Sequence, residues 1–156
     1  MKEVKTNAMR LLEKENIPYH IHSYDPDDGA IDGISVADKI GKSTDEVFKT
    51  LVTKGSAGIY VFVVPVASEL NLKAAAKAVG ERSVEMVKVS DITPLTGYVK
   101  GGCSPVGMKK LYTTVIDETA TLLDTMVVSA GKIGWQIELD PQELCKIVNG
   151  SFCHIS

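Results

Sequence analysis

Lys49 sits inside an otherwise apolar run, Val47-Phe48-Lys49-Thr50-Leu51-Val52. An ammonium among apolar side chains calls for a partner, so the chemistry on offer is the binding of negative charge. Further along, Gly101-Gly102-Cys103-Ser104-Pro105-Val106-Gly107 makes a glycine-rich turn, whose bare main-chain N–H groups can face an anion or a developing oxyanion. Each feature has a plainer reading, in which Lys49 snorkels from an element end and the glycines only shape a turn. Together they point to one site for negative charge, with Lys49, Gly101 and Gly102 as its catalytic candidates. Other chemistry is poorly supported. His20 and His22 have no third metal ligand at a suitable spacing, and neither forms a nucleophile–base constellation with Ser104 or Ser129. No metal or cofactor is expected. Cys103 is a candidate nucleophile only if nearby charge lowers its pKa.

These residues need elements to position them. An amphipathic helix is expected from Thr6 or Asn7, with Met9, Leu12 and Leu11 inward, ending near Asn16 before Pro18. Tyr19 to Tyr24 alternates as a strand with His20 and His22 on one face, and Asp25-Pro26-Asp27-Asp28-Gly29 is a loop. Ser35 is placed to cap a helix closed by Gly41. Ser43-Thr44-Asp45-Glu46 has the capping-box pattern of a short helix delivering Lys49. Residues 50–53 and 59–64 read as a hairpin whose second strand is buried on both faces. Asn71 caps an alanine-rich helix that Gly80 ends. Strands follow at 83–87, 97–100, 111–116, 125–129 and 135–139, and Asp140-Pro141-Gln142-Glu143 opens a last helix stopped by Asn149-Gly150. Strands outnumber helices without alternating with them. The fold class is therefore α+β: a single domain, residues 1–156, with a mixed, strongly bent or barrel-like β-sheet and flanking helices.

The chain has 156 residues, 17 basic and 20 acidic, for a net charge of −3. That length suits one domain with a single well-formed core, and the charge balance gives no footing for tracking along DNA. Lys100, Lys109, Lys110 and Lys132 can still form a local basic rim. Three cysteines are too few for a disulfide framework and fit a reducing cytoplasm. No stretch approaches a membrane span, and no leader segment is evident.

Several motifs, in order along nearly the whole chain, resemble the YbaK/EbsC proteins, relatives of the editing domain inserted in bacterial prolyl-tRNA synthetases. They are Val47-Phe48-Lys49-Thr50-Leu51, Val64-Pro65-Val66, Leu72-Lys73, Gly97-Tyr98 with the glycine-rich turn, and Val128-Ser129-Ala130-Gly131-Lys132 with Ile137-Glu138-Leu139. The resemblance implies the fold of that family and a trans-editing aminoacyl-tRNA deacylase, typically acting on Cys-tRNA(Pro), with a required lysine at the position of Lys49. The implied partner is the aminoacyl-tRNA acceptor end, and prolyl-tRNA synthetase is a candidate protein partner.

By the same resemblance Tyr24 and Ser129 line the aminoacyl pocket, and Thr50, Ser104 and Pro105 join the substrate site. Gln136 stands where some relatives carry Asp. An aliphatic residue in some relatives at the position of Cys103 argues against an obligatory thiol nucleophile. The resemblance also implies a route without an enzyme base, in which the thiol of the substrate cysteine attacks its own carbonyl and displaces the tRNA. The competing function is a noncatalytic module that holds a nucleotide, a tRNA end or a protein partner in the same cleft.

Overall fold

A computed structural model describes residues 4–156. Thr6 caps α1 (Asn7–Lys14) by accepting the Met9 N–H at 3.2 Å. Ala8, Met9 and Leu12 are fully buried, while Leu11 is only half-buried. Asn16, with φ of 57°, turns the chain in the left-handed conformation and leads towards β1 (His20–Ser23).

Asp32, not Ser35, caps α2 (Gly33–Lys39): its carboxylate accepts the Ser35 N–H at 3.1 Å and hydroxyl at 2.7 Å. The expected helix at Ser43 is also replaced. Glu46 does reach back to the Ser43 N–H at 3.1 Å, as a capping box would, but the chain makes only one turn before β2 (Phe48–Lys54). The Glu46 carbonyl accepts the Val127 N–H at 2.8 Å, and Val47 bridges Val127, so sheet pairing overrides the local helix signal. Lys49 therefore rides on a strand.

The hairpin of β2 with β3 (Ile59–Pro65) forms as expected. Its turn is held by the Glu81 carboxylate, which accepts from the Ser56 and Ala57 N–H groups at 3.1 and 2.9 Å and from the Tyr60 hydroxyl at 2.6 Å. Asn71 caps α3 (Leu72–Ala78), and β4 (Glu85–Met86) is short. The strand expected at 97–100 is absent. Instead α4 (Val89–Thr96) precedes it, closed by Gly97 at φ 85°. In so short a helix Pro94 forfeits a single main-chain bond. Then come β5 (Thr113–Asp117), a 3-10 turn at Glu118–Leu122, β6 (Met126–Lys132), β7 (Trp135–Leu139), α5 (Pro141–Ile147) and β8 (Ser151–Cys153).

The mixed sheet is divided in two and does not close into a barrel. One sheet is antiparallel, in the order β1-β7-β6; the other runs β4-β2-β3-β5-β8, antiparallel through β3 and parallel beyond it. The Val47–Val127 bridge joins them. Met9, Leu12, Phe48, Val63, Ile116, Ile137 and Leu144 meet in the main core, and Phe62, Val64 and Val115 pack with α3 residues Ala75 and Ala76 on the opposite face of β3.

Candidate active site

Lys49 and Thr50 occupy an open strand edge. β4 pairs only with Thr53 and Lys54 of β2. The Val47 carbonyl accepts from Val66 in line with β3 at 2.9 Å, whereas the Val52 carbonyl accepts from Val87 on the other side at 3.1 Å. Antiparallel pairing alternates, so the main-chain groups of Thr50 turn away from β3 at a level β4 does not reach. Pleating puts the Lys49 side chain on the opposite face from Thr50.

Both residues nevertheless border one cleft with two chambers. The inner chamber, about 120 Å³, is lined by Val36, Phe48, Val66, Ser129 and Gln136 beside the residues of its mouth. The outer chamber is about 650 Å³. Ile31, Gly33, Lys49, Thr50, Gly101 and Cys103 line both and form the waist between them. The ammonium of Lys49, half-buried, has no hydrogen bond or ion pair among the described residues. A cation and a glycine far apart in sequence thus share one mouth.

The glycine-rich turn divides its duties. Gly101 adopts φ 87°, which excludes most side chains, and a Cβ there would stand 3.0 Å from Ile31 Cδ1. The Gly102 N–H is engaged with the Val99 carbonyl at 3.0 Å, so it is not the free donor expected of it. A Cβ on Gly102 would lie 2.9 Å from the Ile133 main-chain nitrogen, so glycine lets the turn press on the β6–β7 connection. The N–H groups of Gly101 and Cys103 make no hydrogen bond among the described residues. Burial pushes the Cys103 thiol up to about 11, only partly offset by a Thr96 hydrogen bond, which removes it as a thiolate nucleophile near neutral pH.

Tyr98 anchors the turn from behind. Its hydroxyl donates to the Val106 carbonyl at 2.6 Å, and its ring lies where a Cβ on Gly131 would be, 2.7 Å away. Burial, followed by the Cys103 charge, raises the Tyr98 pKa to about 12.

Not every expected residue reaches the cleft. Ser104 is fully buried and its hydroxyl accepts the Val106 N–H at 3.2 Å, a local turn bond. Pro105 faces a separate cavity of about 420 Å³ with Leu11, Ile17 and Tyr112. Neither residue is among those lining the cleft. Ser129 lines the inner chamber and also accepts the Gly131 N–H at 3.1 Å. Tyr24 is 8% exposed, lies outside the cleft lining and shares the β1–β7 face that carries Gln136. Its hydroxyl is buried without a partner among the described residues, and Lys39 Nζ stands 5.6 Å from the ring centroid.

Next to Gln136 on that face, Glu138 gathers donors from three directions. His22 Nε2 lies 2.6 Å from Oε1, Lys42 Nζ lies 3.1 Å from Oε2, and Thr125 donates to Oε2. Burial alone would raise its pKa; the hydrogen bonds from Thr125, His22 and Lys42 and the Lys42 charge bring it down to about 2. Lys42 belongs to the segment that enters β2, so Glu138 clamps the strand of Lys49 to the sheet of Ser129 and Gln136.

The sequence model of the aminoacyl-tRNA editing domain matches residues 32–147. The chain belongs to that family. It is 43% identical over 153 residues to EbsC of Enterococcus faecalis (strain ATCC 700802 / V583), covering 97% of this chain and 93% of that protein; the relative's name makes it a candidate Cys-tRNA(Pro)/Cys-tRNA(Cys) deacylase. Among solved structures, a candidate trans-editing enzyme for prolyl tRNA synthetase superposes with a TM-score of 0.85 at 21% identity, over 99% of both chains. A hypothetical protein, APE2540, gives a TM-score of 0.87 at 21% identity, covering 96% of this chain and 99% of that one. These two likenesses establish the editing-domain fold. Sequence reasoning had no signal for Ile31, Gly33, Val36 and Val66 in the cleft, since aliphatic and glycine positions advertise no chemistry. Gly33 is needed there because a Cβ would meet Val66 Cγ1 at 2.4 Å.

Proposed function

We propose that the protein is a trans-editing aminoacyl-tRNA deacylase that cleaves the aminoacyl ester of mischarged tRNA, with Cys-tRNA(Pro) as its substrate. The observation that carries this reading is the waist, where Lys49, without a partner among the described residues, lines the same opening as Gly101 and Cys103, whose main-chain N–H groups make no hydrogen bond among those residues, onto a small chamber. Ester cleavage passes through a tetrahedral species whose oxyanion needs donors aimed at it in a water-poor site. Gly101 and Cys103 supply main-chain donors, and Lys49 supplies charge at the carbonyl or grips the ribose-phosphate next to it. The inner chamber, about 120 Å³, falls below the ~300–1,000 Å³ typical of pockets for larger ligands and so admits only small acyl side chains. Within it Ser129 and Gln136 offer polar contacts, Thr50 borders the carbonyl, and Tyr24 contributes from behind.

Size alone separates cysteine from alanine or proline weakly, since a methylene is worth roughly 1–3 kcal/mol. Attack by the substrate thiol on its own carbonyl resolves this. A sulfur–carbon bond forms, the carbon–oxygen ester bond breaks, the thiol proton passes to the departing ribose oxygen, which leaves as the free hydroxyl of the tRNA, and the amino acid leaves as a thiolactone. The protein then only positions and stabilises, which fits the missing base and the raised Cys103 thiol. Its place of action is the cytoplasm, where aminoacyl-tRNA is made, with prolyl-tRNA synthetase as the proposed partner.

Incubating pure protein with Cys-tRNA(Pro) and following release of the acyl group tests the reading. Turnover supports it; binding without turnover establishes the noncatalytic module instead. Ser-tRNA released as fast as Cys-tRNA would dismiss the thiol route while leaving the deacylase standing.

A further inference from the structure

The cavity of about 420 Å³ that Pro105 faces shares no lining residue with the cleft. We propose that it is a second ligand site, for a free α-amino acid with a large apolar side chain. The proposal goes beyond the deacylase reading and does not depend on it.

Three stretches far apart in sequence build the cavity: the end of α1, residues 105–114, and α5 with the residue after it. Leu11, Ile17, Val106, Ile147 and Val148 give it an apolar interior. Its volume falls in the lower part of the ~300–1,000 Å³ range of sites that enclose small molecules. Leu111 is 71% exposed on the same lining, and a large apolar side chain left open at a cavity marks a binding surface. Met108 adds a flexible thioether able to follow apolar groups of different shape.

The polar groups select the ligand. Glu15 closes α1, Lys110 lies in the loop before β5, and Glu143 and Lys146 stand three residues apart on α5. None of these four side chains makes a hydrogen bond or ion pair among the described residues. The hydroxyls of the lining are already engaged: Tyr112 donates to the Leu95 carbonyl at 2.6 Å and Thr114 to the Tyr112 carbonyl at 3.0 Å. Two carboxylates and two ammoniums are thus left over around one apolar concavity. A ligand of a single sign would meet as many repelling charges as attracting ones. A zwitterion answers both signs, its ammonium turning to a glutamate and its carboxylate to a lysine, while its side chain enters the apolar interior. Charge-assisted hydrogen bonds then replace the hydration that both ends of the ligand give up.

NMR titration of the unmodified protein with L-phenylalanine and with L-leucine tests the site. For at least one of them the methyl signals of Leu11, Ile17, Val106 and Val148 should shift with a Kd of about 1 mM or lower, while those of Val36 and Val66 in the cleft stay in place. N-acetyl-L-phenylalaninamide keeps the side chain, lacks both charges and should bind at least about tenfold more weakly. Glu15→Gln with Glu143→Gln, and separately Lys110→Gln with Lys146→Gln, should each weaken binding about tenfold or more, the scale of one lost hydrogen bond to a charged group. Tm should not move, because none of the four charges has an internal partner to lose. Absence of methyl shifts with both amino acids up to about 10 mM overturns the site, and so do shifts confined to Val36 and Val66. Equal binding of the neutral analogue, or unchanged binding in both double variants, would reject recognition of a zwitterion and leave an apolar seat for a side chain of a protein partner.

Discussion

Among the described residues Lys49 is the only cation lining the inner chamber, and its side chain has no partner there. Lys49→Ala should therefore lower kcat/KM by about 100-fold or more, the scale of losing one oxyanion donor, with an unchanged melting temperature because no internal ion pair is lost. Steady-state kinetics beside calorimetry checks both halves. Cys103 gives the opposite expectation: a thiol raised to about 11 is not the nucleophile. Cys103→Ala, which keeps the main-chain N–H, should stay within about tenfold of the parent kcat/KM, about 1.4 kcal/mol in barrier; abolished turnover would reinstate covalent catalysis. Lys49 and Gly101 stood out by residue type, as an ammonium in an apolar run and a glycine in a glycine-rich turn, whereas Thr50, Ser129 and Gln136 came only from the family resemblance; all five line the cleft. Ser104 and Pro105 sit in the same motif but outside the cleft lining, one buried in a local turn bond and the other lining a separate cavity, which residue types alone do not disclose.

Among the elements, the clamp on β2 is the feature with measurable consequences. Glu138 is 8% exposed and joins β7 to Lys42, so Glu138→Ala leaves a half-buried ammonium uncompensated, at a cost of about 3 kcal/mol. For a chain of this length that corresponds to a melting temperature lower by about 6–12 °C. The pH dependence has a definite sign. Glu138 is depressed from 4.5 to about 2, so its stabilisation is complete above pH 4.5 and disappears as pH falls towards 2. Glu81, drawn down to about 2 first by the Tyr60 hydroxyl, acts in the same window. Denaturant melts across that range should show a shallower acid limb in Glu138→Gln than in the parent; an identical limb would mean the carboxylate is not held ionised by the fold. Helix caps at Asn71 and Asp140 were legible because side-chain capping is local. The Ser43 capping box misled because its hydrogen bond forms in a single turn that sheet pairing then claims. α4 was concealed by Pro94, and β8 by its three-residue length.

For the whole molecule, a net charge of −3 limits how much of the tRNA can be gripped electrostatically. With Lys49 and Lys100, the cations that line the cleft, as the phosphate contacts near a single-stranded end, the logarithm of tRNA affinity should fall against that of salt with a slope of about −1.4. A slope steeper than about −5 would require a broad basic interface that these two lysines do not provide. The sequence alone determined the α+β class, the hairpin that follows Lys49 and the chemical character of Lys49 and the glycine-rich turn, because those depend on residue type and on spacing within an element. Only the tertiary structure decided that the sheet is split in two, that one cleft has two chambers, and that Cys103 rather than Gly102 offers a free N–H. Those outcomes depend on packing between residues far apart in the chain: β4 stops short and leaves the β2 edge open, the Val47–Val127 bridge draws the two sheets together, and Tyr98 presses the glycine-rich turn against Gly131.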